Sequence, residues 1–297
     1  MNIDLYKDKA RAYQMQYTAS GYWLLVAALA GLMLLQTGCA SRTPAAAPTT
    51  QTVTSSDPSR RRQDPKEIAK VRTAIAAEFI RNHQLDNAKR QLEYALKADP
   101  RSAAAYDMMG VLLQQECSPI KLQKAESYFL KALALDPDYM QAHNNYGVYL
   151  AQIGRNAEAI RQFEIAGAAL GYDGRASALE NLGRTALKVN NVPLATTALL
   201  KALDADRTSV IARTELVDIF LQQNRIAEAR ELHNDLLRLM ADNLDPRTLR
   251  QGIQLAHLAG NRNQEQQYTR QLFDRYPLSD EARQVKGWLA NPTAAWR

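Results

Sequence analysis

The sequence predicts an all-α protein: a right-handed superhelix of six helix-turn-helix repeats with a C-terminal capping helix. Three observations carry this reading. Alanine fills 47 of the 297 positions, and with Leu, Gln, Arg, Glu and Lys it sets a composition that favours helix. Aromatic residues make up only 7%, thin for the core of a β-rich chain of this length. Small and large apolar residues also recur at fixed places in windows of 34–37 residues, the period of stacked helix pairs.

Each element follows from that recurrence. A 34-residue template opened at Ala69 places Ala76 at position 8, Phe79 at 11, Ala88 at 20, Leu92 at 24, Ala95 at 27 and Pro100 at 32. Reopened at Ala103, Met140, Ala176, Val210 and Pro246 it recovers similar patterns, with a three-residue insertion around Glu116–Pro119. Nine of the twelve residues at positions 20 and 27 are alanine, where a background of about 16% (47 in 297) predicts about two. Small residues at position 8 (Ala76, Gly110, Gly147, Gly183), 20 and 27 let paired helices approach closely. Leu113, Leu150, Phe129 and Phe163, at positions 11 and 24, fill the space between them. Pro100 and Pro137 end the second helix of their repeats, because proline has a fixed φ and no N–H to donate.

This pattern resembles the tetratricopeptide (TPR) repeat over about 210 of the 297 residues. Residues 65–290 are expected to form the TPR superhelix, with repeats starting near 69, 103, 140, 176, 210 and 246. The last two copies depart from the template: Val217 and Ile253 replace the small residue at 8, and His233 and Thr269 the large one at 24. A capping helix is expected over 278–290, with Ser279 as its N-cap and Val285, Trp288 and Leu289 as its inner face. Residues 291–297 read as a loose tail.

The N-terminus reads as an address, a signal peptide over 1–38. Gly21–Leu35 (GYWLLVAALAGLMLL) is uncharged and apolar and follows a stretch holding Lys7, Lys9 and Arg11. At 1.5 Å per residue it spans roughly 22 Å, short of the ~30 Å hydrocarbon core, which fits a signal-peptide apolar region. The Gln36-Thr37-Gly38-Cys39-Ala40-Ser41 stretch behind it resembles the lipobox of bacterial lipoproteins, departing from it at Gln36. That resemblance implies lipid attachment at Cys39 and, with Ala40 rather than Asp next to it, sorting to the outer membrane with the domain facing the periplasm. Residues 39–64 hold the lipidated Cys and a tether rich in Ala, Thr, Ser and Pro, too poor in large apolar side chains to offset its ordering entropy. With Cys39 modified only Cys117 is left, so no internal disulfide is expected.

Composition and motif content bear on chemistry as well. The formal charge of +6 is fed by Arg42 and Arg60–Arg62 in the tether and by the leader, which leaves the repeats near neutral. A nucleic-acid platform needs a basic face and is not expected. His83, His143, His233 and His257 fall in four different repeats at unrelated positions, without metal-ligand spacing, so no metal is expected. No nucleophile elbow, phosphate loop or dinucleotide fingerprint is present. The chain reads as a non-enzyme with no cofactor and no small-molecule substrate.

Function is then expected on the inner face, lined by positions 2, 5, 9, 12 and 13 of each first helix. The candidate groove residues are Ile80 and Arg81 in repeat one, Asp107 and Val111 in repeat two, Asn144, Val148 and Gln152 in repeat three, and Glu180, Arg184 and Lys188 in repeat four. Asn145 and Asn181, both at position 6, are candidates for rungs of an amide ladder, or for groups that satisfy neighbouring helix ends. Apolar and amide side chains together suit an extended peptide or a helix. Thr73 and Ala77 stand where the carboxylate clamp of chaperone-binding repeats needs Lys and Asn, so that mode is not expected.

The lipobox, tether, repeats and capping helix combine with three stretches: NNYGVYLAQIGRNAEAIRQFEIA (144–166), ALENLGRTALK (178–188), and LRQGIQLAHLAGN (249–261) followed by YPLS (276–279). Together they resemble the type IV pilus biogenesis/stability lipoproteins of the pilotin class, the PilF/PilW family. That resemblance implies an outer-membrane lipoprotein that binds the pilus secretin subunit and promotes its outer-membrane localisation and multimerisation. The alternative expectation is a periplasmic TPR adaptor lipoprotein that docks or activates peptidoglycan synthases or hydrolases.

Overall fold

A computed structural model describes residues 64–291 except Cys117, together with Trp296. Cys39, the expected signal peptide and nearly all of the expected tether lie outside the described residues. Thirteen α-helices are present among the described residues, without a strand, and they pair as hairpins in chain order. Repeat one is α1 (Pro65–Arg81) and α2 (Leu85–Ala98), repeat two α3 (Ala103–Gln115) and α4 (Pro119–Leu135), repeat three α5 (Met140–Gln152) and α6 (Asn156–Ala168). Repeat four is α7 (Arg175–Lys188) and α8 (Val192–Ala205), repeat five α9 (Val210–Gln222) and α10 (Ile226–Met240), repeat six α11 (Pro246–Leu258) and α12 (Arg262–Arg275). Helix α13 (Asp280–Ala290) closes the stack. None of these helices is long and apolar enough to cross a membrane.

The small and large positions meet as the spacing requires. A Cβ added to Gly110 would sit 2.7 Å from the Phe129 ring, one on Gly147 2.6 Å from Phe163, and one on Gly183 2.6 Å from Leu199. In each case the position-8 glycine of a first helix receives the position-24 side chain of its second helix. The alanines at positions 20 and 27, from Ala88 to Ala229, are all fully buried. Phe129 also reaches the next repeat, with its ring 5.8 Å from that of Tyr146 and 5.6 Å from that of Tyr149 on α5.

Repeats five and six solve the same problem differently. Glycine and large ring are each displaced by one residue in repeat six, where Gly252 leaves room for Tyr268. His233 is buried between α10 and α11, its Nε2 3.0 Å from the Thr248 carbonyl and its ring edge-on to Tyr268. Burial pushes the His233 pKa down, so it packs as a neutral ring.

Five of the hairpin turns share one backbone feature. His83, Gly154, Asn190, Asn224 and Gly260 have φ between 55° and 85°, and all five stand at position 15. That left-handed residue lets the first helix end and the second start after a short turn, and it selects Gly, Asn or His over β-branched side chains. Caps complete the helices. Asp245 accepts from the Thr248 N–H at 2.7 Å ahead of Pro246, and Ser279 from Ala282 at 3.0 Å. Replacing Asp245 by Ala is expected to cost about 1 kcal/mol, read as a lower urea midpoint at unchanged m-value.

In the capping helix Val285 and Trp288 are buried on the last repeat, whereas Leu289 is 41% exposed. Leu289 therefore does not belong to the inner face expected for it. It stands about 100° round the helix from Trp288, past the edge of the buried stripe.

Candidate binding groove

Consecutive first helices touch one another, α1 with α3, α3 with α5, and onward to α9 with α11, whereas consecutive second helices do not. That asymmetry bends the stack with the first helices inside, so their outward positions line a concave surface. Its residues are tied together across the repeats by side-chain hydrogen bonds.

In repeats two to four these bonds form an amide ladder. The Tyr172 hydroxyl donates to Gln141 Oε1, Gln141 Nε2 to Asn145 Oδ1, and Asn145 Nδ2 to Asp107 Oδ2, each at 2.9 Å. Every donor in this run points toward Asp107, which is wholly buried and has no partner for Oδ1. Burial pushes its carboxyl up to about 7, against the opposing bond from Asn145. Tyr172 is pushed up to about 12 by burial and by the neighbouring Asp107. Farther along, Asn181 Nδ2 donates to Asn144 Oδ1 at 3.1 Å, and Gln114 Nε2 to Gln152 Oε1 at 2.6 Å. The asparagines thus pair side chain to side chain between first helices. Asn181 meets Asn144 rather than Asn145.

The other candidate residues divide. Ile80 is buried in the core of repeat one with Ala76, Leu92 and Leu112, and does not face the groove. Arg81 is exposed beside Glu78, and Thr73 turns its hydroxyl back to the Ala69 carbonyl at 2.8 Å. Val111 and Val148 are partly buried and pack on the main core cluster from the inner side. Glu180 accepts from the Ser209 hydroxyl, and burial raises its pKa above the ordinary carboxylate value. Arg184 lies 3.6 Å from Glu215, and Lys188 is exposed at the end of α7.

The register of the inner face continues into repeats five and six, which the candidate set omitted. Arg247 places its fork on Glu215 at 2.9 and 2.6 Å, and its Nε donates to Asp218 at 2.7 Å. Arg250 takes the other Asp218 oxygen at 2.5 Å. Burial alone would raise the Asp218 pKa, but Arg250 and Arg247 outweigh it and hold the carboxyl below its usual range. Asp218, Arg247 and Arg250 border a cavity of about 290 Å³ walled also by Leu221, Gln222, Gln254 and, from the capping helix, Glu281 and Gln284. Its lining on α9 and α11 falls entirely at positions 2, 5, 9, 12 and 13. No group of His, Cys, Asp and Glu with metal-binding geometry occurs among the described residues.

Comparison with known proteins agrees with the repeats. Two tetratricopeptide-repeat family models match residues 128–161 and 180–243. The type IV pilus assembly protein PilF of Pseudomonas aeruginosa is 29% identical over 203 residues, covering 68% of this chain and 79% of that protein. A solved structure of Pseudomonas aeruginosa PilF superposes with a TM-score of 0.69 at 26% identity, over 75% of this chain and 98% of that one. The crystal structure of PilW, described as a widely conserved type IV pilus biogenesis factor, superposes with a TM-score of 0.63 at 26% identity, over 74% and 99%. By its repeats and superhelix the chain is a tetratricopeptide-repeat protein, similar in sequence and structure to the type IV pilus proteins PilF and PilW.

Proposed function

We propose that this chain is a pilotin: a non-enzymatic lipoprotein, held in the outer membrane through Cys39, whose concave face takes a segment of the pilus secretin subunit. The observation that carries the reading is the 29% identity to the pilus assembly protein PilF across 203 residues. The lipobox ending at Cys39 supports the anchor. The inner face supports the mode of binding, since it sets partly buried apolar side chains such as Val111 and Val148 beside amide and charged ones, a mixture that suits an extended segment. Anchoring raises the concentration of secretin subunits at the membrane where they multimerise, without a tight contact being needed.

Two measurements test this. A photo-crosslinking residue at Val148 or Gln152 is expected to capture secretin from envelope fractions. Cys39→Ala is expected to leave the fold intact, lose outer-membrane localisation and strand secretin multimers in the inner membrane. Normal piliation with outer-membrane secretin in that variant would sink the pilotin reading, and capture of a cell-wall enzyme in place of secretin would replace it.

A further inference from the structure

Trp296 lies against the end of the groove. Trp296 is 6% exposed, with its ring against the His257 imidazole (centroids 3.6 Å apart, planes at 10°) and stacked on Trp288 (5.4 Å, 17°). Its carbonyl accepts from Gln254 Nε2 at 2.5 Å. Gln254 and His257 stand at positions 9 and 12 of repeat six, and Gln254, on the inner face, also walls the neighbouring cavity. An aromatic ring in a slot, with its main-chain carbonyl held by a side-chain amide, is the geometry of a bound peptide residue.

The occupant fits incompletely. The indole Nε1–H is buried without an acceptor, so its lost hydration is not repaid by a hydrogen bond. A phenyl ring would stack on the same surfaces and bury no such donor. That unpaired donor weakens the hold of the slot on its own tryptophan, a cost that an incoming phenylalanine does not carry.

We propose that this end of the groove is a receiving site for an aromatic residue, phenylalanine in preference, of an extended partner segment, and that Trp296 fills it until the partner displaces it. The proposal rests on reading the concave face as a segment-binding groove, and not on the identity of the partner. The incoming ring stacks on His257 and Trp288, its carbonyl accepts from Gln254, and the cavity beside it takes the flanking residue.

The test uses the full chain in detergent micelles and a fluorescein-labelled peptide of residues 291–297, with versions carrying Trp296→Phe and Trp296→Ala. The Trp296→Ala protein is expected to bind the Trp and Phe peptides saturably, the Phe peptide more tightly. The wild-type protein is expected to bind both about tenfold more weakly, because its own tail competes. The Trp296→Ala peptide is expected to bind neither protein. Equal binding by the two proteins, or no binding of any peptide to the Trp296→Ala protein, overturns the proposal. If that protein loses its helical signal, the wild type decides: excess unlabelled Phe peptide is expected to free Trp296 from His257 and change the tryptophan emission, and an unmoved emission overturns the proposal. Peptide binding without secretin crosslinking would leave this site standing and remove only the pilotin reading.

Discussion

Phe163→Ala is expected to lower stability by about 3–5 kcal/mol, because it empties one of the closest small–large contacts in the stack. The ring is 1% exposed and fills the space that Gly147 leaves, with 2.6 Å between it and a Cβ built on that glycine. Collapse of the void is hindered from both sides: Ala159 and Ala166 already hold α6 at close range, and neither can reach inward. Because each repeat is stabilised by its neighbours, the loss is expected to be felt at the junction of repeats two, three and four and to broaden the urea transition. Hydrogen exchange would show it as early loss of protection in α5 and α6 while α9 to α13 stay closed. Gly147→Ala gives the complementary result. Alone it overpacks the ring, at about 1–3 kcal/mol, partly offset by about 1 kcal/mol of helix propensity. In the Phe163→Ala background the methyl group enters the void and the same change is expected to stabilise. A cost under about 1 kcal/mol for Phe163→Ala, or additive effects of the two changes, would show that the pair does not hold the repeat together.

The period of the fold was legible because the close contacts are made by residue size, which a sequence displays directly: Gly110 with Phe129, Gly147 with Phe163 and Gly183 with Leu199. Repeat six escaped the template because Gly252 and Tyr268 moved together by one residue, which keeps the contact and breaks the register. The left-handed turn at position 15 was also visible as Gly154, Asn190, Asn224 and Gly260, each a residue type that tolerates positive φ. The groove was legible as a face and not as a set of pairs. Register shows that Asn144, Asn145 and Asn181 point inward, but the stagger between successive first helices decides that Asn181 meets Asn144 and Asn145 meets Asp107. Arg247, Arg250, Glu215 and Asp218 sit at positions 2, 5, 6 and 9, where the same register would have found them had the last two copies not been set aside as degenerate. Trp296 gave a weaker signal, a single aromatic residue at the end of a polar tail, and its contacts are long-range ones that no periodicity encodes.

Asp107 makes stability depend on pH in a direction opposite to most carboxylates. Its folded pKa is about 7, against an ordinary value of 3.8, because burial disfavours the charged form and only Asn145 donates to it. The folded chain therefore holds this proton through a range where the unfolded chain has released it. The stability it contributes is complete below the unfolded pKa and is lost as pH rises through the folded one. Between pH 5 and pH 8 that loss comes to about 2–3 kcal/mol. Tyr139 and Tyr172, which feel the Asp107 charge, have pKa values pushed upward, by burial first and by Asp107 second, and stay neutral across this window. Asp107→Asn removes the titration and keeps an acceptor for Asn145. The variant is expected to match wild type at pH 5 and to exceed it at pH 8 by about 2–3 kcal/mol, read from urea midpoints across the series. Glu180, also raised by burial, has the same sign and is present in both proteins, so it drops out of the difference. Parallel stability profiles for the two proteins would mean that the Asp107 carboxylate is solvated or paired in solution. The ladder from Tyr172 would then end on a charged group rather than on a proton-holding one.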